Sequence, residues 1–383
     1  MKTLYAFGGL FCFIASALQA DFAYKIENSN FSISQNTQTI NEEQNYLYNY
    51  NRLRLQTQYK EERFFATLIA DGVNYFADEY SDSPEFALLK SYSADTPLKT
   101  QSSFHDYGDG QAYAKLYRLY AGYEDAQNRV VVGLENISMG VGRIWTPTNS
   151  FNPKNIYALE PDETFGIYGV MYTRYLDETS HMSGVVSQKE DESLKYALRY
   201  KTFFAYTDLA FDFIGSDEMK MFGVELEGNL ADTGIELRSE AAFIKSELQT
   251  LTGVEEQSFT QAIIGADYGF VNGFTLVLEG LYSSKTFDYD TLARNLHSEV
   301  LQNLVPSKFY TALSLSYSFT LFLDGSLTYI KGFGGEDSDF IAPLLSYTMN
   351  DYTTFSVGAI LQKSDSEIVD KDEKYYLKWV FSF

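Results

Sequence analysis

The chain has little of several things that would narrow its class. In 383 residues there is one cysteine, two tryptophans and seven prolines, and only 29 Lys and Arg stand against 52 Asp and Glu. One cysteine excludes a disulfide scaffold and any multi-cysteine zinc or iron–sulfur centre. A formal charge of −23 opposes nucleic-acid binding, which needs a basic face against phosphate. After residue 20 no window approaches the ~18 consecutive apolar residues of a membrane helix. The sequence holds no glycine-rich phosphate loop and no cluster of metal ligands, so neither cofactor nor metal is expected. Phe and Tyr, by contrast, are abundant, at 30 and 31 residues. So many aromatics exclude a disordered acidic chain.

Residues 1–20, MKTLYAFGGLFCFIASALQA, begin with Lys2, run through an apolar core from Leu4 to Ile14 and end in small residues. This pattern marks a secretory signal peptide for the Sec pathway, cleaved after Ala17 or Ala20. Cys12 leaves with it, so the mature chain, residues 21–383, contains no cysteine. An exported chain without an apolar helix enters a membrane only as a closed β-barrel, the other way to satisfy every backbone group in lipid.

The mature sequence alternates with a period of two. Phe309, Leu313, Leu315, Tyr317 and Phe319 share one face of their segment, and Ser314, Ser316 and Ser318 take the other. The chain ends Tyr375, Leu377, Trp379, Phe381, Phe383, every second residue apolar. Segments of about 10 residues with one apolar and one mixed polar face are the signature of transmembrane strands. They predict an all-β fold, an antiparallel up-and-down barrel of about 18 strands, with 16 as the alternative. The strands fall near 22–34, 46–59, 64–76, 112–124, 128–144, 165–176, 182–188, 195–204, 207–214, 220–229, 234–245, 258–269, 274–285, 308–319, 321–331, 339–349, 353–363 and 374–383. Their connections alternate between short and long, as expected of periplasmic turns and extracellular loops. A soluble sandwich, propeller or solenoid is the competing reading, but no fixed repeat supports the last two.

On this division the acidic excess lies in the long connections, and the strands are nearly neutral because they carry both signs. Arg52, Arg54, Arg118, Arg143, Arg174, Arg199 and Arg238 fall in predicted strands. Charge on a lipid face costs about 2–4 kcal/mol at mid-membrane, so alternation assigns these arginines to the lumen, with Glu236 and Glu240 opposing them. A wall of mixed charge around a wet lumen would orient and filter polar solutes; alternatively the ion pairs only fill space.

Three long connections invite a role. Segment 77–111 carries the apolar cluster Phe86-Ala87-Leu88-Leu89 and is expected either to fold inward, with Phe86 and Leu88 at a constriction, or to cap the rim. Leu292, Leu296, Val300, Leu301 and Leu304 in 286–307 are spaced for one short amphipathic helix. Segment 142–166 holds Trp145, Asn149 and Asn152 among three prolines, and is expected to form a rigid, shaped loop at which a solute makes contact. The three histidines, His105, His181 and His297, sit in loops or beside a turn. They leave a barrel enzyme as one alternative, and a surface adhesin or structural barrel without an open pore as another.

The terminal Trp379-Val380-Phe381-Ser382-Phe383 resembles the assembly signal of Gram-negative outer-membrane proteins. Together with the signal peptide, the strand pattern and the segment GRIWTPTNSFNP, the chain is similar to porin-like families of about 18 strands, including substrate-specific porins and alginate-export-type barrels. The resemblance implies residence in the cell outer membrane among lipid and lipopolysaccharide. It also implies recognition of Phe383 by the barrel-assembly machinery, and passive or substrate-selective passage of small polar solutes by a monomer or a trimer, without a chemical step.

Overall fold

The computed structural model describes residues 21–38, 43–365 and 370–383; the signal-peptide assignment lies outside them. Nineteen strands form one antiparallel sheet. In chain order they are β1 (Asp21–Gln38), β2 (Glu43–Glu61), β3 (Phe64–Phe76), β4 (His105–Tyr107), β5 (Gly110–Glu124), β6 (Asn128–Glu135), β7 (Ile167–Tyr175), β8 (His181–Gln188), β9 (Leu194–Phe204) and β10 (Thr207–Gly215). There follow β11 (Met219–Asn229), β12 (Ile235–Thr250), β13 (Gly253–Gly269), β14 (Phe274–Ser283), β15 (Phe309–Ser318), β16 (Leu323–Phe333), β17 (Ser338–Asn350), β18 (Thr353–Ser364) and β19 (Lys371–Ser382). All but β4 are wall strands, so the wall has eighteen.

The wall closes where β1 meets β19, with Glu27 opposite Ser382 and Gln38 opposite Lys371. Phe383 completes the seam: it and Ile26 exchange backbone bonds of 2.8 and 3.0 Å. Closure leaves no unpaired edge for lipid to meet. The turns at the end that holds both termini are tight. One is Ala205-Tyr206, where both residues take positive φ, as a two-residue hairpin of native twist requires.

Alternation sorts the side chains. Outward go Val170, Val186, Leu198, Phe213, Phe222, Phe243, Leu278 and Trp379, each 44–51% exposed, the band that lipid would cover. Inward go Arg52, Arg238, Glu240 and a set of apolar residues such as Phe31, Ile33, Met221 and Ile244, at 0–4%.

Four expectations change. The strand placed at 128–144 ends at Glu135; residues 136–166 leave the wall for the lumen, so Arg143 is a loop residue. The edge of β5 that β6 thereby vacates is taken by residues 100–107. Ser102 N donates to Ala114 O at 2.9 Å, Leu116 N to Thr100 O at 2.7 Å, and β4 pairs with Gly110–Ala112. The loop placed at 246–257 is mostly strand, since β12 and β13 stay paired up to Thr250 and Gly253. The single helix expected in 286–307 is instead a short helix at Tyr289–Arg294 and a 3₁₀ turn at Leu301–Asn303.

Candidate functional site: the lumen and its inserted segment

The inserted segment 136–166 is held by carboxylates of the wall. Glu225 on β11 and Glu240 on β12 face each other across the ladder, a like-charge pairing that is unfavourable by itself. Backbone N–H groups answer it. Gly140 N donates to Glu225 at 2.8 Å, and Val141 N and Thr148 N donate to Glu240 at 2.9 and 2.5 Å. Glu279 on β14 accepts from three consecutive residues, Arg143, Ile144 and Trp145, at 2.9, 3.1 and 2.8 Å. Such charge-assisted bonds are stronger than neutral ones, and they replace the ladder that the segment gave up. The backbone is shaped for this course: Gly140 has φ +91°, and a Cβ on Gly142 would lie 1.7 Å from the carbonyl oxygen of Trp145.

A second set of ion pairs fixes the far end of the segment to β2. Arg52 forks onto Glu160 at 2.9 and 3.1 Å, and Arg54 forks onto Asp71 at 2.7 and 2.8 Å and onto Glu163 at 2.9 and 2.8 Å. Lys378 reaches Glu160 at 3.2 Å. Arg118 donates to the carbonyl and hydroxyl of Thr164 at 3.0 and 3.2 Å and lies 4.1 Å from the ring centre of Tyr117. Burial pushes the Glu163 carboxyl up, but hydrogen bonds from Arg54 and the charges of Arg52 and Arg54 outweigh it and hold the group at about 2. The sign follows from linkage. A carboxyl below its ordinary 4.5 contributes fully above that value, and the contribution is lost as the pH falls toward 2. The thermal stability of the folded barrel is therefore expected to be flat from pH 7 to 5 and to fall between about 4.5 and 2. Melting temperatures at stepped pH check this; equal values at pH 7 and 2.5 would contradict it.

The other arginines separate. Arg199 lies between Asp212 and Glu225, at 2.9 and 2.6 Å. Arg238 donates to Asp267 at 2.8 Å. Arg143 meets Glu236 at 2.7 Å and Asp267 at 3.0 Å. Its side chain is 48% exposed, against 5% for Arg52 and 0% for Arg238, so Arg143 is the arginine that faces open space below the inserted segment. Arg174 does not belong to the lumen. It lies on the face of Val170 and Tyr172, both 44% exposed, and donates to Asn128 at the short-turn rim at 2.8 Å; β7 begins at Ile167, and in it Met171 and Thr173 take the inward places. Glu240 does not oppose an arginine across the lumen; it holds the segment.

Three apolar clusters line the upper lumen. Ile137, Met139 and Phe151 of the segment join Phe287, Val300 and Leu304 against inward residues of β8–β13. Trp145 stands 5.9 Å from Tyr310, and Ile144 and Ile156 pack beside it. Asn152 takes the amide of Ile137 at 2.7 Å, and Asn149 donates to the carbonyl of Asn152 at 2.8 Å; both asparagines are buried. Segment 77–109 also turns inward. Its helices α1 (Asp78–Ser81) and α2 (Pro84–Ser91) lay Tyr80 and Phe86 on the inward faces of Tyr46, Tyr48 and Tyr75. Phe86 is fully buried, and Leu88, 42% exposed, borders the space that remains. That space is a cavity of about 1310 Å³ at the long-loop end, bordered by Tyr50, Leu88, Asn152, Glu160, Lys189, Lys195, Glu299 and Lys374.

Glu160, Glu163, Asp71, Asp212 and Thr148 escaped sequence reasoning. The usable signal was Gly140-Val141-Gly142, which interrupts the alternation of the apparent strand 128–144.

No protein-family model matches the chain, and no curated protein is similar to it in sequence. Solved structures are similar in shape. The OccK8 (OprE) structure from Pseudomonas aeruginosa gives a TM-score of 0.59 at 11% identity, over 95% of this chain and 98% of that one. The P. aeruginosa OpdK structure with vanillate gives 0.57 at 11%, over 95% and 99%. A BenF-like porin from Pseudomonas fluorescens Pf-5 gives 0.57 at 14%, over 95% and 99%. This chain therefore has the fold of those barrels over nearly its whole length.

Proposed function

We propose that the protein is a channel of the Gram-negative outer membrane, through which small polar solutes or ions diffuse without a chemical step. One observation carries the reading: a closed wall, apolar outside, surrounds a lumen whose charged groups are still in contact with open space. Arg143 with Glu236 on one side of the inserted segment, and the cavity of about 1310 Å³ on the other, leave room for a hydrated solute. The similarity in shape to a BenF-like porin and to OpdK supports it. The seven sequence-assigned arginines divide on this reading. Arg52, Arg54, Arg118, Arg199 and Arg238 build the wall of the passage, Arg143 meets the solute, and Arg174 has no part in it. Trp145 and the segment held by Asn149 and Asn152 set the narrowest point, with Phe86 and Leu88 shaping the approach. Phe383, at the seam with β1, presents the end of β19 to the assembly machinery.

Purified protein added to a planar bilayer is expected to give discrete conductance steps. A bilayer that stays closed under every voltage and salt concentration would favour the structural or adhesive barrel and sink the channel.

A further inference from the structure

One face of the outer wall does not suit lipid. On β1, Phe31 and Ile33 are fully buried toward the lumen, so Asn28, Asn30, Ser32 and Ser34 point outward. On β2, Tyr46, Tyr48 and Arg52 point inward, so Asn49 and Asn51 point outward. These amides are at the height of the lipid band. Asn28 pairs with Phe381 of β19, Asn30 with Trp379 and Ser32 with Leu377, and those three neighbours are 39–63% exposed. On β18 and β19 the outward residues at this height are Phe355, Val357, Leu377, Trp379 and Phe381, whereas on the other side β3 continues the patch with Gly72 and Asn74, paired with Leu53 and Asn51.

The asparagines bond in reciprocal pairs. Asn28 and Asn51 exchange bonds of 3.2 Å, and Asn30 and Asn49 exchange bonds of 3.1 and 3.0 Å. A primary amide carries two N–H donors and a carbonyl with two lone pairs, and each reciprocal pair uses one donor and one lone pair per partner. Asn49 places its second donor on the carbonyl of Phe31 at 2.8 Å; Asn30 and Asn51 keep theirs. Hydrocarbon cannot answer these groups, and an unanswered polar group in the bilayer core costs several kcal/mol. A surface of amides is at once donor and acceptor, so it is complementary to itself, the requirement of a two-fold contact. Side-chain amides and hydroxyls are also the groups that join elements within membranes. Leu47 and Leu53, 76% and 51% exposed, border the patch and add apolar contact.

We propose that this face of β1 and β2 is where two copies of the chain pack side by side in the membrane, amide against amide. The inference rests on the barrel lying in a bilayer, and its test reads that condition separately. A benzophenone side chain is placed at Ser32 in one copy, and for comparison at Val357, which is 49% exposed on the apolar face of β18. Intact outer membranes from cells expressing two differently tagged copies are irradiated. Position 357 is expected to label lipid alone, which establishes the bilayer environment. Position 32 is expected to give an adduct that carries both tags. Lipid labelling alone at position 32, or an adduct with a different protein, overturns the proposal, and failure of position 357 to label lipid removes its premise and overturns it as well. As a second arm, Asn30→Leu, Asn49→Leu and Asn51→Leu are combined, with the shift in gel migration on heating used to confirm a folded barrel. The two-tag adduct should then fall about tenfold; an undiminished yield from the folded triple variant contradicts the amide contact.

Discussion

Replacing Glu240 and Glu279 together with alanine is expected to raise the single-channel conductance of the proposed channel by about threefold or more, if the inserted segment is its limiting element. The two carboxylates accept from the backbone of Val141, Arg143, Ile144, Trp145 and Thr148. Hydrogen bonds to a charged acceptor contribute about 1.5–3 kcal/mol each, and a donor left buried without a partner costs a similar amount. Five such losses exceed what the contacts of Ile137 and Phe151 can retain, so the segment leaves the lumen or becomes mobile in it. Glu240→Gln with Glu279→Gln is the intermediate case, because an amide keeps one accepting oxygen and turns the other position into a donor that faces N–H groups. Recordings of the three proteins in the same salt check the order wild type, double Gln, double Ala. If double Ala folds and its conductance is unchanged, the segment does not set the limiting radius.

The second large effect is on selectivity. Arg52→Ala combined with Arg54→Ala leaves Glu160, Glu163 and Asp71 without their principal counter-charges. Removing one side of a buried ion pair costs about 3–5 kcal/mol, and here one side of a network is removed. The carboxylates then attract counter-ions from the lumen. The permeability ratio of K⁺ over Cl⁻ is expected to rise about fivefold or more, as a ring of uncompensated carboxylates selects cations. Arg174→Ala is the matched control, because that side chain is on the outer face and its loss should leave the ratio unchanged. Reversal potentials in a salt gradient measure both. An equal shift in the two variants would mean that the β2 arginines act only through the global charge.

The barrel was legible in the sequence because a transmembrane strand writes its environment into every second residue. The segment 64–76 was bounded as it is found, and 207–214 falls one residue short of β10. What stayed hidden was whichever contact depends on a partner far along the chain. Nothing local to Glu240 says that it accepts from Val141 rather than pairing with an arginine, since the two are 99 positions apart. Arg143 looked like a strand residue because Ile137, Met139 and Val141 keep the two-residue apolar spacing up to it, and only the glycines on either side of Val141 interrupt the strand character. Arg174 was misplaced for a different reason: a strand of nine residues reaches the rim, where an outward arginine can leave the lipid and find Asn128. The inner wall was expected to carry mixed charge around a wet lumen, yet its upper part is apolar, because it packs against inserted loops rather than water.

The seam between β1 and β19 also fixes an order in time. On its β19 side Ile26 finds its partner in Phe383, 357 positions later, and the carboxylates that hold the inserted segment lie 77–136 positions after it. Contacts so distant in sequence form slowly, and none of them can form before its later partner has emerged. The lumen therefore cannot be furnished before β14 is in place: residues 136–166 must wait for acceptors that arrive later. Whatever receives this chain on its way to the membrane must keep that segment from pairing as the strand its first half resembles.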